Sequence, residues 1–266
     1  MTSSQLQEIK RRFGLYLKDF APAGGSLPPP LALKADHCRR VSNEAGSVSR
    51  DLEWPDQNVD TAVAAGLLHD IGRFTQYTEY RTFSDSLSVD HGERGAEVLE
   101  QTGLLADLDS PDCESIVYTV RRHNCLSVPQ TGKSRKNALL RLIRDCDKLD
   151  IFRIVLGEVE RDGFKSLPEM LAGISLERTV SSAVTEEILT DRRASMVNVK
   201  TLADFMLMQF SWIYDLNYTA SVIRFRDRRI LQRIIRQIES DANVERILAE
   251  AESFLQTVEG AVEMES

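Results

Sequence analysis

Six side chains of metal-binding type stand at helical spacing on apolar faces: His37, His69 with Asp70, His91, His123 and Asp147. The chain has four histidines, and all of them belong to this set. A lone histidine on an apolar face is more often a core residue bonded to a backbone carbonyl than a ligand. Five helices that each deliver a ligand-type side chain reverse those odds. Imidazole nitrogen with carboxylate oxygen suits Mn, Fe, Ni or Zn, whereas Mg or Ca would call for oxygen alone. Six donors exceed what one catalytic ion needs, because such an ion keeps a position open. A shared carboxylate serves two ions about 3.5 to 4 Å apart, and Asp70, beside His69 at a helix end, is the natural bridge.

The elements that must position these residues read as all-α, since apolar residues recur at three and four and strand-like alternation is hard to find. A first amphipathic helix carries Leu6, Ile9, Phe13 and Leu17 on one face, and "PAGGSLPPP" then breaks it. A second helix, about 31–52, puts His37 in line with Leu33, Val41, Ala45 and Val48. A third begins after Asn58 or Asp60 and ends at His69 and Asp70, with Gly72 as its stop and a polar loop from about 76 to 89. Asp90 and Glu93 form a capping-box pattern that places His91 in the first turn of the next helix. Ser110 caps another helix, with Pro111 at its first position and His123 on the stripe of Ile116 and Val120. In "KNALLRLIRDCDKLDIF", Asp147 lies two turns from Leu140. The expected organisation is an N-terminal helix and linker (1–29), a metal-binding core (30–160) and a C-terminal helical region packed on it (161–266), with segments near 199–216, 219–239 and 242–258.

Composition narrows the partners. A net charge of -8 and a pI near 5.2 work against a basic surface for a long nucleic acid and leave a small substrate as the better expectation. The N-terminus lacks a secretory apolar segment, and the longest apolar run, "FMLMQFSWIY", is about half of what a bilayer requires, so a cytoplasmic chain without membrane contact is expected. Cys38, Cys113, Cys125 and Cys146 form no CxxC pair and read as reduced thiols. Cys38 and Cys146, adjacent to ligand positions but about 100° away around their helices, pack rather than ligate.

The ordered set H…HD…H…H…D, with "LLHDIGR", "DHGERGAEVL", "RRHN" and "DCDKLDIF" as local contexts, resembles the HD-domain superfamily of metal-dependent phosphohydrolases over about residues 30–155. The resemblance implies an all-α HD-domain helical core with an additional C-terminal helical region. It also implies that His37, His69, Asp70 and Asp147 hold one metal, and that Asp70 bridges to a second held by His91 and His123. The related cyclic-dinucleotide phosphodiesterases carry HDxGK and GYP. Here the lysine position is Arg73 and no GYP occurs, which argues against that substrate.

The expected reaction is cleavage of a nucleotide or other small phosphate ester by a hydroxide generated at two divalent transition-metal ions, with Asp70 and Arg73 as the catalytic pair. Arg73 is either a planar clamp on the phosphate or a surface ion pair. Gln76, with Tyr77 and the following loop, is placed at the substrate entrance. Lys148 is read either as a substrate contact or, with Asp150, as a structural ion pair. The Arg-rich stretch "SVIRFRDRRILQRIIRQI" is a solvated helix face or a phosphate-recruiting lid. The same ligand order also resembles HD-type di-iron oxygenases, and a non-catalytic metal- or nucleotide-binding regulatory module is the third reading. A homo-oligomer is compatible with all three.

Overall fold

The computed structural model describes residues 1–23, 25–128, 134–165, 171 and 173–265, with side chains through residue 258. Gly24 of the expected linker lies outside these residues. Helices dominate, and no strand occurs among the described residues. An isolated parallel bridge joins Ser175 to Thr201. The chain divides into two compact units, Met1–Asp147 and Lys148–Ser266.

In the first unit, helix α1 (Ser3–Lys18) starts at a capping box between Thr2 and Gln5, where two otherwise unpaired amide donors find side-chain oxygens. Its buried face is Leu6, Ile9, Phe13 and Leu17, as the periodicity requires, and it packs on α3 (Asp56–Leu68). Phe13 meets Phe74 edge to face at 6.1 Å, and full burial of such a ring is worth about 1.5–3 kcal/mol. The N-terminal helix therefore belongs to the same compact unit as the six ligand-type residues.

Helices α2 (Pro29–Asp51) and α3 form the most extensive helix pairing among the described residues. Gly66 allows it: a Cβ there would stand 2.9 Å from the Ser42 Cα and 3.0 Å from the Val41 carbonyl oxygen, so α3 lies directly on the α2 backbone. The Ser42 hydroxyl donates to the Val63 carbonyl at 2.8 Å across the same seam.

Gly72 does not end a helix, as the sequence suggests; it opens α4 (Gly72–Tyr80), which shortens the expected loop. The glycine serves closeness instead. A Cβ would fall 2.3 Å from the His91 carbonyl oxygen and 2.5 Å from the Gly95 nitrogen, both on α5 (His91–Thr102). Asp90 caps α5 by accepting from the amides of Gly92 and Glu93, but Glu93 pairs with Arg121 at 3.0 Å instead of closing the box. Helix α6 (Ser110–Arg122) is capped by Asp109, not Ser110, because the Asp109 carboxylate accepts from the Asp112 amide. Helix α7 (Arg135–Asp162) brings Asp147 to the end of this unit.

In the second unit, α8 (Ser182–Asp191), α9 (Leu202–Phe210), α10 (Thr219–Asp227), α11 (Ile230–Ile235) and α12 (Ala242–Glu265) surround a core that includes Phe152, Phe210, Phe225 and Ile234. "FMLMQFSWIY" supplies core residues Met206, Leu207, Phe210 and Ile213. The Arg-rich stretch is two short helices rather than one, because Arg229 adopts a left-handed conformation (φ 52°) that stops the helix and turns Ile230, Leu231 and Ile234 inward. Arg233 grips Glu160 with two bonds of 2.8 Å, as expected of a solvated helix face. Asp204 on α9 is fully buried and accepts from the Ser181 amide and hydroxyl, both at 2.6 Å, and from the Lys200 amide at 2.9 Å. Among the described residues, no helix is long and apolar enough to cross a membrane.

Candidate metal centre

The last carbonyls of a helix have no partner within it, so a side chain just beyond the end can use them. His69 follows α3 and donates from Nδ1 to the Gly66 carbonyl oxygen at 2.8 Å. His123 follows α6 and does the same to the Val120 carbonyl, also at 2.8 Å. A carbonyl only accepts, so each proton is assigned to Nδ1 and each Nε2 carries a lone pair. His91 opens α5 and donates from Nδ1 to the Asp85 carboxylate at 2.6 Å. Burial holds its pKa down to about 4 despite that carboxylate, with Arg73 adding to the effect, so the ring is neutral near pH 7.

These rings converge. His91 Nε2 and His123 Nε2 stand 3.0 Å apart, and His37 Nε2 and His69 Nε2 3.1 Å apart. Two lone pairs facing at 3.0 Å in a buried site repel unless a cation lies between them, so the pair from His91 and His123 fits a metal ion by its own chemistry.

Asp70 stands between the two histidine pairs. Its Oδ2 lies 3.5 Å from His37 Nε2 and 3.7 Å from His69 Nε2, while Oδ1 lies 3.5 Å from both His91 Nε2 and His123 Nε2. Asp147 Oδ1 completes the first pair, at 3.1 Å from His37 Nε2 and 3.6 Å from His69 Nε2. The groups His37–His69–Asp70, His69–His123–Asp147 and Asp70–His91–His123 each bring their ligand atoms within 4.8 Å of one another and can hold a metal ion. All six ligand-type residues singled out from the sequence thus meet in one place.

Both carboxylates are ionised. Burial opposes the charge on Asp70, but the cations Lys34 and Arg73 outweigh it and hold the pKa well below the usual range. Asp147 is likewise held low against burial, chiefly by its hydrogen bond with His37. Lys34 Nζ reaches Asp70 Oδ2 at 2.7 Å. The sequence reading missed Lys34, although its place one turn before His37 on α2 was a usable signal.

Arg73 is more constrained than either sequence reading of it. Its Nη1 donates to the Gln76 side chain, the Phe83 carbonyl and Asp85 at 2.9, 2.5 and 2.7 Å, while its Nε is buried without a hydrogen bond, 3.5 Å from Asp70 Oδ1. Gln76, placed at the substrate entrance from the sequence, is fully buried, and its amide donates to Asp85, Ser88 and the Val89 carbonyl. It braces the loop between α4 and α5. Tyr77 stacks on Phe83 at 4.8 Å in the same loop. The Lys148 ammonium is engaged by the Asp215 carboxylate at 2.6 Å and the Asp215 carbonyl at 3.0 Å. Cys38 and Cys146 are buried, and burial pushes the Cys38 thiol pKa up, so it stays protonated. Asp85, the partner of His91, is a second residue the sequence did not reveal.

Residues 35–151, a span that contains all six ligand-type side chains, match the family model of the HD domain. The chain carries an HD domain. No curated protein and no solved structure matches it. HD domains belong to a superfamily of metal-dependent phosphohydrolases, and the histidine–aspartate cluster of this one is of a kind that holds divalent metal.

Proposed function

We propose that the HD domain is a phosphohydrolase that cleaves a nucleotide or another small phosphate ester at a centre of two divalent transition-metal ions. The observation that carries this reading is Asp70, whose two oxygens face two separate histidine pairs. His37, His69, Asp70 and Asp147 would hold one ion, and Asp70, His91 and His123 the other. Two such ions supply a water that ionises near neutral pH and a positive charge for phosphoryl oxygens.

The chain's own residues prepare that site. Neutral imidazoles keep the sum of charge positive once ions are bound, which favours an anionic ester. Lys34 fixes Asp70 from the α2 side, and Arg73 adds a guanidinium whose Nη1 edge is anchored and whose Nε lies beside Asp70. Charge held in place before substrate arrives requires no rearrangement during the reaction.

The test is phosphate release from a panel of nucleotides and simple phosphate esters by protein loaded in turn with Mn, Fe, Ni or Zn, beside Asp70→Ala. Turnover that needs metal and is lost in the variant supports the reading. Oxygen uptake by the iron form without phosphate release would transfer the site to the di-iron oxygenase class, and turnover indifferent to metal would refute a metal-centred mechanism.

A further inference from the structure

The three imidazoles with identified Nδ1 acceptors are not held in the same way. His69 and His123 use carbonyls of the helices they terminate, three residues back. His91 cannot, because it begins its helix, where the backbone presents amide donors and the residues before it are irregular. Its acceptor has to come from elsewhere, and Asp85, in the 3-10 turn Asp85–Leu87, supplies it. Asp85 is itself gripped by Arg73 Nη1 at 2.7 Å and Gln76 Nε2 at 2.9 Å. Asp85 thus has one tie to His91 and two ties to α4.

We propose that Asp85 is the positioning residue of the second metal position, and that the fold of the loop between α4 and α5 decides whether that position can be filled. The proposal rests on the two-ion reading above. The Nδ1 hydrogen bonds of His69 and His123 do not involve the loop, and Lys34 reaches Asp70 from α2, so the position held by His37, His69, Asp70 and Asp147 loses far less than the second when the loop opens. His91 loses its orientation and its tautomer preference at the same moment, and the second position keeps Asp70 and His123 alone. Partners of this kind on metal-binding histidines typically matter by about 10–100-fold in metal affinity. Linkage requires the converse: an ion bound by His91 stabilises the folded loop by the same factor.

The experiment is calorimetric titration of Mn²⁺ into the chelator-treated full chain, with wild type, Asp85→Ala, Asp85→Asn and His91→Ala compared. Expected are two ions in wild type. In Asp85→Ala, one ion keeps its wild-type affinity and a second is weakened about 10–100-fold. Asp85→Asn, whose amide oxygen still accepts from Nδ1, shows a smaller loss and serves if the alanine variant fails to fold. A merely structural role would weaken both ions together. Hydrogen exchange adds an independent readout, because amides in residues 83–89 of wild type slow on addition of the second equivalent but not the first. Two ions of unchanged affinity in Asp85→Ala overturn the proposal and leave the two-ion reading standing. One ion in wild type overturns both.

Discussion

Replacement of Gly72 by alanine sets two effects of known size against each other. At a helical position the change normally stabilises, by up to about 1 kcal/mol, because glycine gives up more backbone freedom on folding. At Gly72 the added Cβ would lie 2.3 Å from the His91 carbonyl oxygen, 2.5 Å from the Gly95 nitrogen and 3.0 Å from the Gly95 Cα. All three atoms are backbone, so no side chain can swing aside and α5 itself must move. Overpacking of this kind costs about 1–3 kcal/mol, and approaches this short belong at the upper end. The net expectation is a loss of about 2 kcal/mol for the first unit. Gly14, on α1 with nothing within 4 Å of its Cβ position, is the control, and Gly14→Ala should gain about 0.5–1 kcal/mol. Urea unfolding read through Trp54 in a Trp212→Phe background isolates the first unit, since these are the only two tryptophans. Because α5 begins at His91, its displacement should also weaken the second ion. A Gly72→Ala variant as stable as Gly14→Ala would refute the close-approach argument.

Asp204→Ala should cost about 3 kcal/mol, seen in the Trp212 transition, because it leaves the Ser181 amide and hydroxyl and the Lys200 and Thr201 amides without the buried carboxylate that accepts from them. Removal of metal by chelator should lower the Trp54 midpoint and leave that of Trp212 unchanged, while an ion present at 100 times its dissociation constant adds about 2.7 kcal/mol. The bond from Arg233 holds the Glu160 pKa below its ordinary value, so the pair contributes above that value and its contribution is lost as pH falls through the depressed one. Glu160→Gln should therefore differ from wild type by no more than about 1 kcal/mol at pH 7, less in high salt, and not at all in strong acid. A difference that grew on acidification would contradict the ion pair.

The candidate metal centre was legible because helical periodicity states where a side chain points. His37, Asp70, His123 and Asp147 each continue an apolar stripe, so their inward placement follows from the sequence alone. Asp85 continues no stripe: it lies in a polar loop whose path depends on Arg73 and Gln76, and no local pattern encodes that path. The same loop explains Gln76, which looks like an entrance residue until the chain folds back over it. Gly72 misleads for another reason, since a glycine that permits close packing and one that ends a helix look identical in sequence. The break at Arg229 escaped because the left-handed conformation there is adopted by arginine rather than by the glycine or asparagine that usually marks it.

The charge partners of Asp70 bear on the order of events as the protein matures. Small zinc modules often fold only when metal arrives, because their ligands have nothing else to hold them together. Here the ligands are spread from residue 37 to residue 147 on separate helices and can meet only after those helices have docked. During that interval Asp70 must be buried as an anion. Lys34 at 2.7 Å and Arg73 at 3.5 Å give it compensating charge from its own chain, and the surrounding core is ordinary apolar packing. On the two-ion reading the polypeptide would therefore assemble first and take up its ions afterwards, and a folded, empty chain would already hold the charge partners that an ion later joins.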